Sequence, residues 1–275
     1  WELVVLRSDE EGSGLADYYC WQEGGVLNLT SSARISSTMA ELSGQQGRVH
    51  KGTLRDGVPA LFITGVEDSV WAVTDILAER EGELCNLLLS DITGVSGEIV
   101  AYQGLVPTDI NNDGITELPQ PVVTLGQDNS GSSQCQWVNW RTYDSAGVVT
   151  TALSTYHNME DGWYLQLPQQ WQGRVVANRS VGLDEAVVTF SIRGETVEEP
   201  AQEFLKITTL TGSSREIKAT RGGRIILRRQ VERIFTAELL EANETWEYGI
   251  TEDEIQAAFN LITTCLLYTS DAADD

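Results

Sequence analysis

The stretch Asp109-Ile110-Asn111-Asn112-Asp113-Gly114-Ile115-Thr116-Glu117-Leu118-Pro119 puts oxygen-bearing side chains on alternate residues, bends at a glycine and then enters a strand-like segment. Calcium takes six to eight hard oxygens at about 2.3–2.6 Å, and a tight loop of alternating acidic and amide residues supplies them from one side of the chain. Asp109, Asn111 and Asp113 would each offer a side-chain oxygen, Ile115 its carbonyl, and Glu117 would complete the set, with Gly114 making the bend. An EF-hand shares the first nine positions, but its twelfth needs a bidentate Glu. Here that position is Gln120, and Pro119 and Pro121 forbid the following helix. The loop therefore joins strands. The same residues could also form an Asx-turn network without an ion.

The Asp-Gly corner recurs 57 residues earlier, in Asp56-Gly57-Val58-Pro59-Ala60-Leu61, and Glu2-Leu3 echoes Ala60-Leu61 and Glu117-Leu118 at nearly the same interval. Alternation and β-branched or aromatic enrichment then mark three units of one cadence. The first has strands at 2–6, 17–22 and 26–30, with a turn at Gly24-Gly25. The second has strands at 60–64, 69–77 and 83–89, with a turn at Glu81-Gly82. The third follows the acidic loop with Glu117-Leu118, 136–143, a turn at Ala146-Gly147, and 148–153. In unit two Gly52, Leu54 and Asp56 occupy the positions of Asp109, Asn111 and Asp113, so one ion is expected, in unit three.

A strand entered through an Asp-Gly-x-x-Glu-Leu turn and followed by an aromatic hairpin resembles the FG-GAP and VCBS-like repeats of β-propellers. The resemblance implies units that bury no face alone and must stack on their neighbours. The expected fold is mainly β: a partial β-propeller-like repeat array over residues 1–154, in units of about 1–50, 51–108 and 109–154, followed by a small α+β domain over 155–264. An ordinary β-sandwich with coincidental turn spacing is the competing architecture.

The cadence changes near Thr155, and Glu160-Asp161-Gly162-Trp163 opens the second domain. Strands are expected at 187–192 and 204–210, and a hairpin at 224–228 with 233–239. Thr251-Glu252-Asp253-Glu254 is a capping box, and Ile255, Ala258, Phe259 and Ile262 then fall on one helical face. The order Gly-Trp-Tyr-Leu-x-Leu-Pro-x-x-Trp, Phe-Leu-Lys-Ile-Thr-x-Leu-Thr-Gly, Gly-Gly-Arg-x-x-Leu and Thr-Glu-Asp-Glu-Ile-x-x-Ala-Phe resembles an uncharacterised C-terminal module of clostridial-type surface lipoproteins that carry FG-GAP-like repeats. The resemblance implies a location outside the cytoplasmic membrane and supplies no reaction. Residues 265–275 resemble translated sequencing-adapter DNA and are set aside as a non-native tail. Trp1 opens the chain in mid-strand, so a fragment of a longer protein is expected.

The formal charge is −23, or −20 without Asp271, Asp274 and Asp275 of the tail. Such acidity repels phosphate backbones, which argues against nucleic acid and, by global charge, against anionic membranes. No apolar run reaches bilayer length, so no transmembrane segment is expected. Cys20, Cys85 and Cys135 lie far apart without a CxxC pair, and are expected as buried thiols.

Catalytic residues are expected to be none. His157-Asn158-Met159-Glu160-Asp161 suggests an acid–base cluster but has no nucleophile and reads as a polar turn, and Gly94-Val95-Ser96-Gly97 lacks the spacing of a nucleophile elbow. Trp137, Trp140 and Tyr143, with Trp21 and Trp71, are expected in the core between repeats, the alternative being a carbohydrate-stacking face. Arg221, Arg224, Arg228, Arg229 and Arg233 are expected on a solvated sheet face paired with acidic residues, the alternative being a dock for an anionic cell-wall polymer. The expectation is a noncatalytic binding or scaffolding module, calcium-stabilised and extracytoplasmic, secreted or lipid-anchored at a bacterial cell surface. Its partners would be a cell-surface polysaccharide or protein. The alternative is a fragment of a surface enzyme whose catalytic residues lie mostly upstream.

Overall fold

A computed structural model describes residues 2–22, 25–44, 46–122, 135–194 and 199–262. The chain is mainly β, with several antiparallel sheets. It divides into two compact units: residues 1–121 with 139–152, and 122–138 with 153–275. Residues 127–133, a run of polar residues and glycine that reads as a surface loop, and the 265–275 tail lie outside the described residues.

In the first unit, β1 (Glu2–Ser8), β2 (Gly14–Gln22) and β3 (Val26–Ile35) form one meander. After α1 (Met39–Ser43), β4 (Arg48–Thr53), β5 (Pro59–Glu67), β6 (Trp71–Arg80) and β7 (Glu83–Asn86) form a second sheet, and β8 (Glu98–Ala101) pairs with the first half of β6. Next come β9 (Leu118–Val122), β10 (Cys135–Tyr143) and β11 (Val149–Asn158), whose sheet order is again sequential. Strands adjacent in sequence are thus neighbours in each of these sheets. Among the described residues no barrel closes and no propeller is completed.

The middle sheet is covered on both faces, which explains why β5 and β6 are buried at almost every residue instead of at alternate ones. One face brings Ile63 and Leu77 against Ala16, Tyr18, Ala33 and Ile35 of the first meander. The other brings Ala60, Phe62, Ile76 and Ala78 against Leu54, Leu118 and Tyr143. Phe62 and Ile76 are fully buried cross-strand partners, each contributing roughly 1.5–3 kcal/mol. Tight two-residue turns set the register, as at Glu81-Gly82, where both residues have positive φ. The strand expected from Ser69 begins at Trp71, because Asp68 and Ser69 both take left-handed φ in the β5–β6 turn.

In the second unit β12 (Trp163–Leu167) is followed by a 3-10 turn, Gln169–Trp171. Then β13 (Val175–Gly182), β14 (Glu185–Ile192), β15 (Gln202–Leu210), α2 (Arg215–Ala219), β16 (Ile225–Arg229) and β17 (Ile234–Leu239) build a sheet in the order β13-β14-β15-β17-β16. After α3 (Glu241–Thr245) and α4 (Glu252–Ala258), β18 (Phe259–Leu261) pairs with β12. Tyr156, Trp163, Leu165, Trp171, Phe190, Phe204, Phe235 and Phe259 fuse into one aromatic core. Trp171 also donates its indole N–H to the Tyr248 carbonyl at 2.8 Å, so no buried donor is wasted there.

The capping box forms as expected: Thr251 Oγ1 accepts from Glu254 N at 3.3 Å, and Glu254 Oε2 accepts from Thr251 N at 2.8 Å. The helix is shorter than its apolar spacing suggested. Phe259 leaves helical geometry to pair with Leu165 in β12, so tertiary pairing overrides the periodicity before Ile262. Cys20 and Cys85 are free and half-buried, less enclosed than expected; Cys20, paired with Asn28, lies close to the turn end of the β2–β3 hairpin.

Candidate metal centre

The acidic loop closes between two hydrogen bonds that Thr108 and Glu117 exchange through their backbones, at 3.0 and 2.9 Å. It is also fixed to β4, where the Thr116 amide donates to the Thr53 carbonyl at 2.9 Å. The Asp56-Gly57 corner turns β4 into β5 inside the second sheet, and the Asp113-Gly114 corner lies in the loop closed by Thr108 and Glu117 ahead of β9. Asn112 and Gly114 take positive φ of 60° and 87°, conformations that Asn and Gly tolerate.

The structure brings all five sequence-identified positions into one turn. Asp109 Oδ1 accepts from Asp113 N at 3.0 Å and Oδ2 from Gly114 N at 2.9 Å. Asn111 Oδ1 accepts from Asp113 N at 3.0 Å, and Asp113 Oδ1 accepts from Ile115 N at 2.8 Å. Each of these oxygens keeps lone-pair capacity for a cation. Among the described residues no three His, Cys, Asp or Glu side chains converge as a ready metal cluster. Any cation here therefore depends on a mixed set of carboxylate, amide and carbonyl oxygens.

Glu117 is the feature that turn chemistry leaves unexplained. It is 0% exposed, Oε2 accepts from Ile110 N at 3.2 Å, and Oε1 is buried with no hydrogen-bond partner. Burial pushes its carboxyl up to about 7, and the charges of Asp113 and Asp109 push the same way. A buried carboxylate beside two others is costly unless positive charge is supplied.

His50, which the sequence did not single out, lies near the base of the loop. It stacks on Phe62 at 5.6 Å, bonds the Pro107 carbonyl, and is held below its usual range by burial. Its Nε2 is buried without a partner. No local signal flags it, since its β4 neighbours include Arg48, Lys51 and Thr53 and the ring it stacks on, Phe62, comes from β5.

The other candidates are dispersed or structural. His157 is 3% exposed, stacks on Tyr164 and shares a 2.9 Å hydrogen bond with Thr155, and burial lowers its pKa to about 4. Asp161 is held by Asn158 at 2.6 Å and by the Arg179 fork at 3.0 and 2.9 Å, while Glu160 pairs with Arg179 at 2.5 Å. Ser96 donates to the Thr74 carbonyl inside the buried network around Asp75. Trp137, Trp140 and Tyr143 are buried, whereas Trp21 and Trp71 are half exposed, so the five do not form one stacking face. Of the arginines, Arg229 pairs with Glu216 and Arg224 with Glu238, while Arg233 donates to the Asp161 carbonyl.

A groove of about 390 Å³ in the first unit is walled by Val4, Leu6, Tyr18, Leu61 and Leu77. Another of about 480 Å³ in the second is lined by Gln166, Glu247, Tyr248 and Glu254. Neither contains a histidine. The sequence matches no protein-family model and no curated protein.

Proposed function

We propose that the chain is a noncatalytic binding or scaffolding module of a bacterial cell-surface protein, its first unit stabilised by one structural calcium ion. Asp109, Asn111 and Asp113 would supply side-chain oxygens, Ile115 its carbonyl, and Glu117 the buried carboxylate. The observation that carries this reading is the partnerless, fully buried Oε1 of Glu117, whose carboxyl feels the charges of Asp113 and Asp109. Calcium at that point would supply the missing charge and lock the entry to β9 onto β4. The successive antiparallel sheets, with an Asp-Gly corner leading into β5 and another into β9, support the FG-GAP-like, propeller-type reading, and with it an extracytoplasmic address.

Thermal melting of the wild type and Asp113→Ala, each with calcium and with chelator, tests the proposal. The substitution should lower Tm only when calcium is present. Identical calcium responses of the two proteins would refute a structural metal.

A further inference from the structure

Four of the most exposed large aliphatic residues converge on one end of the five-stranded sheet in the second unit. Leu183 is 87% exposed and Val181 69% at the β13–β14 turn, Ile217 is 60% exposed on α2, and Val231 is 89% exposed in the β16–β17 turn. Leucine in a two-residue hairpin turn is unusual, since turns favour Gly, Asn, Asp, Ser and Pro for conformational reasons.

These residues are held together and not left to wander. Arg215 on α2 donates to the Gly212 carbonyl at 2.6 Å and to the Val231 carbonyl at 2.7 Å. Lys218, three residues along, donates to the Leu183 carbonyl at 3.1 Å. Thr211 N donates to the Asp184 carbonyl at 2.9 Å. Ala219 fixes the helix from beneath, in a small core with Leu210 and Ile234. Both turns and the helix therefore present their apolar side chains from one pinned platform.

Charge around the platform opposes that of the chain. Leaving aside Arg224, which pairs with Glu238 at the far end of β16, residues 181–185, 211–221 and 228–233 hold six cations against four carboxylates, in a protein of net charge −23. Interactions between exposed charges fade over about 8–10 Å, so this local excess decides what approaches the tip, and the global acidity does not. Arg221 is exposed, and Arg228, also exposed, bonds only the neighbouring Leu227 carbonyl among the contacts described.

We propose that this tip is an interfacial anchor for an anionic lipid surface. Leu183, Ile217 and Val231 enter the boundary between headgroups and acyl chains, while Arg221 and Arg228 meet the phosphates; Lys218, 3.6 Å from Glu185, serves to hold the turn. Aliphatic side chains ringed by Lys and Arg are the combination that holds peripheral proteins in the plane of a bilayer. Binding is weak and reversible, because three side chains bury little area. It does not depend on the calcium loop, which belongs to the other unit.

Sedimentation with vesicles of phosphatidylcholine, alone or mixed with phosphatidylglycerol, tests the proposal, with calcium and with chelator. The wild-type chain should bind the mixed vesicles in both conditions and release as salt is raised. Combined Leu183→Ser, Ile217→Ser and Val231→Ser substitutions should weaken binding by about tenfold or more, with unchanged melting because all three side chains are exposed. Arg221→Glu with Arg228→Glu should weaken it separately and flatten the salt dependence. Absence of wild-type binding, or wild-type-like binding by either variant, would overturn the anchor. Vesicle-independent self-association abolished by the serine substitutions would also overturn it, in favour of a protein contact.

Discussion

Thr116 and Thr53 bond each other twice: the Thr116 amide donates to the Thr53 carbonyl at 2.9 Å, and the Thr53 amide donates to Thr116 Oγ1 at 3.3 Å. Through this pair the acidic loop is an extension of the β4 edge, so order in the loop is order in the middle sheet. Calcium should therefore slow hydrogen exchange of the Thr53 and Thr116 amides as well as those within the loop. Protection confined to residues 109–115 would show that the two are uncoupled.

Gly52 lies where a side chain cannot fit. A Cβ there would stand 2.3 Å from Thr116 Oγ1 and 2.6 Å from the Phe62 ring. Gly52→Ala should destabilise the chain by about 1–3 kcal/mol in urea unfolding, as overpacking does. The double variant Gly52→Ala, Thr116→Ser should recover little, because serine keeps the hydroxyl that stands 2.3 Å away and the Phe62 clash also remains.

Asp75 is fully buried, and its carboxylate accepts from Ser36 N at 2.7 Å, Ser36 Oγ at 2.9 Å and Asn86 Nδ2 at 2.8 Å. Asp75→Ala strands these donors and should cost roughly 3 kcal/mol in chemical denaturation. A loss below about 1 kcal/mol would mean that water replaces the carboxylate.

His157 ties the second unit to pH. Its folded pKa of about 4 lies below the ordinary 6.5, so the folded state binds fewer protons than the unfolded one across that interval. Stability is fully present above pH 6.5 and is lost as pH falls toward 4, by about 3 kcal/mol. His157→Gln should remove that slope in melting curves taken between those values. An unchanged slope would assign the acid sensitivity to other groups.

Much of the fold was legible because local chemistry and tertiary packing agreed. The Glu81-Gly82 turn, the strands around 204–210 and 233–239, and the capping box at Thr251 each carry a local signal that the core also rewards. Polar or short strands escaped notice: β4 exposes Val49 and holds His50, and β13 reads Val-Val-Ala-Asn-Arg-Ser-Val-Gly with little alternation. The capping box at Thr38 and Glu41, which starts α1, was written in the sequence as Thr-x-x-Glu and stood outside the repeat cadence. In the candidate site, the turn built on Asp109, Asn111 and Asp113 follows from spacing alone. The buried, partnerless oxygen of Glu117 does not, since burial comes from strands distant in sequence.

Direct calcium binding by equilibrium dialysis, comparing the wild-type chain with Glu117→Gln, tests the metal site at its least ordinary residue. One ion per wild-type chain is expected, with a Kd of about 10⁻⁴–10⁻³ M as in extracellular modules, and at least about tenfold weaker binding when the buried carboxylate becomes a neutral amide. No binding by the wild type, or equal binding by both proteins, would contradict a calcium-stabilised loop.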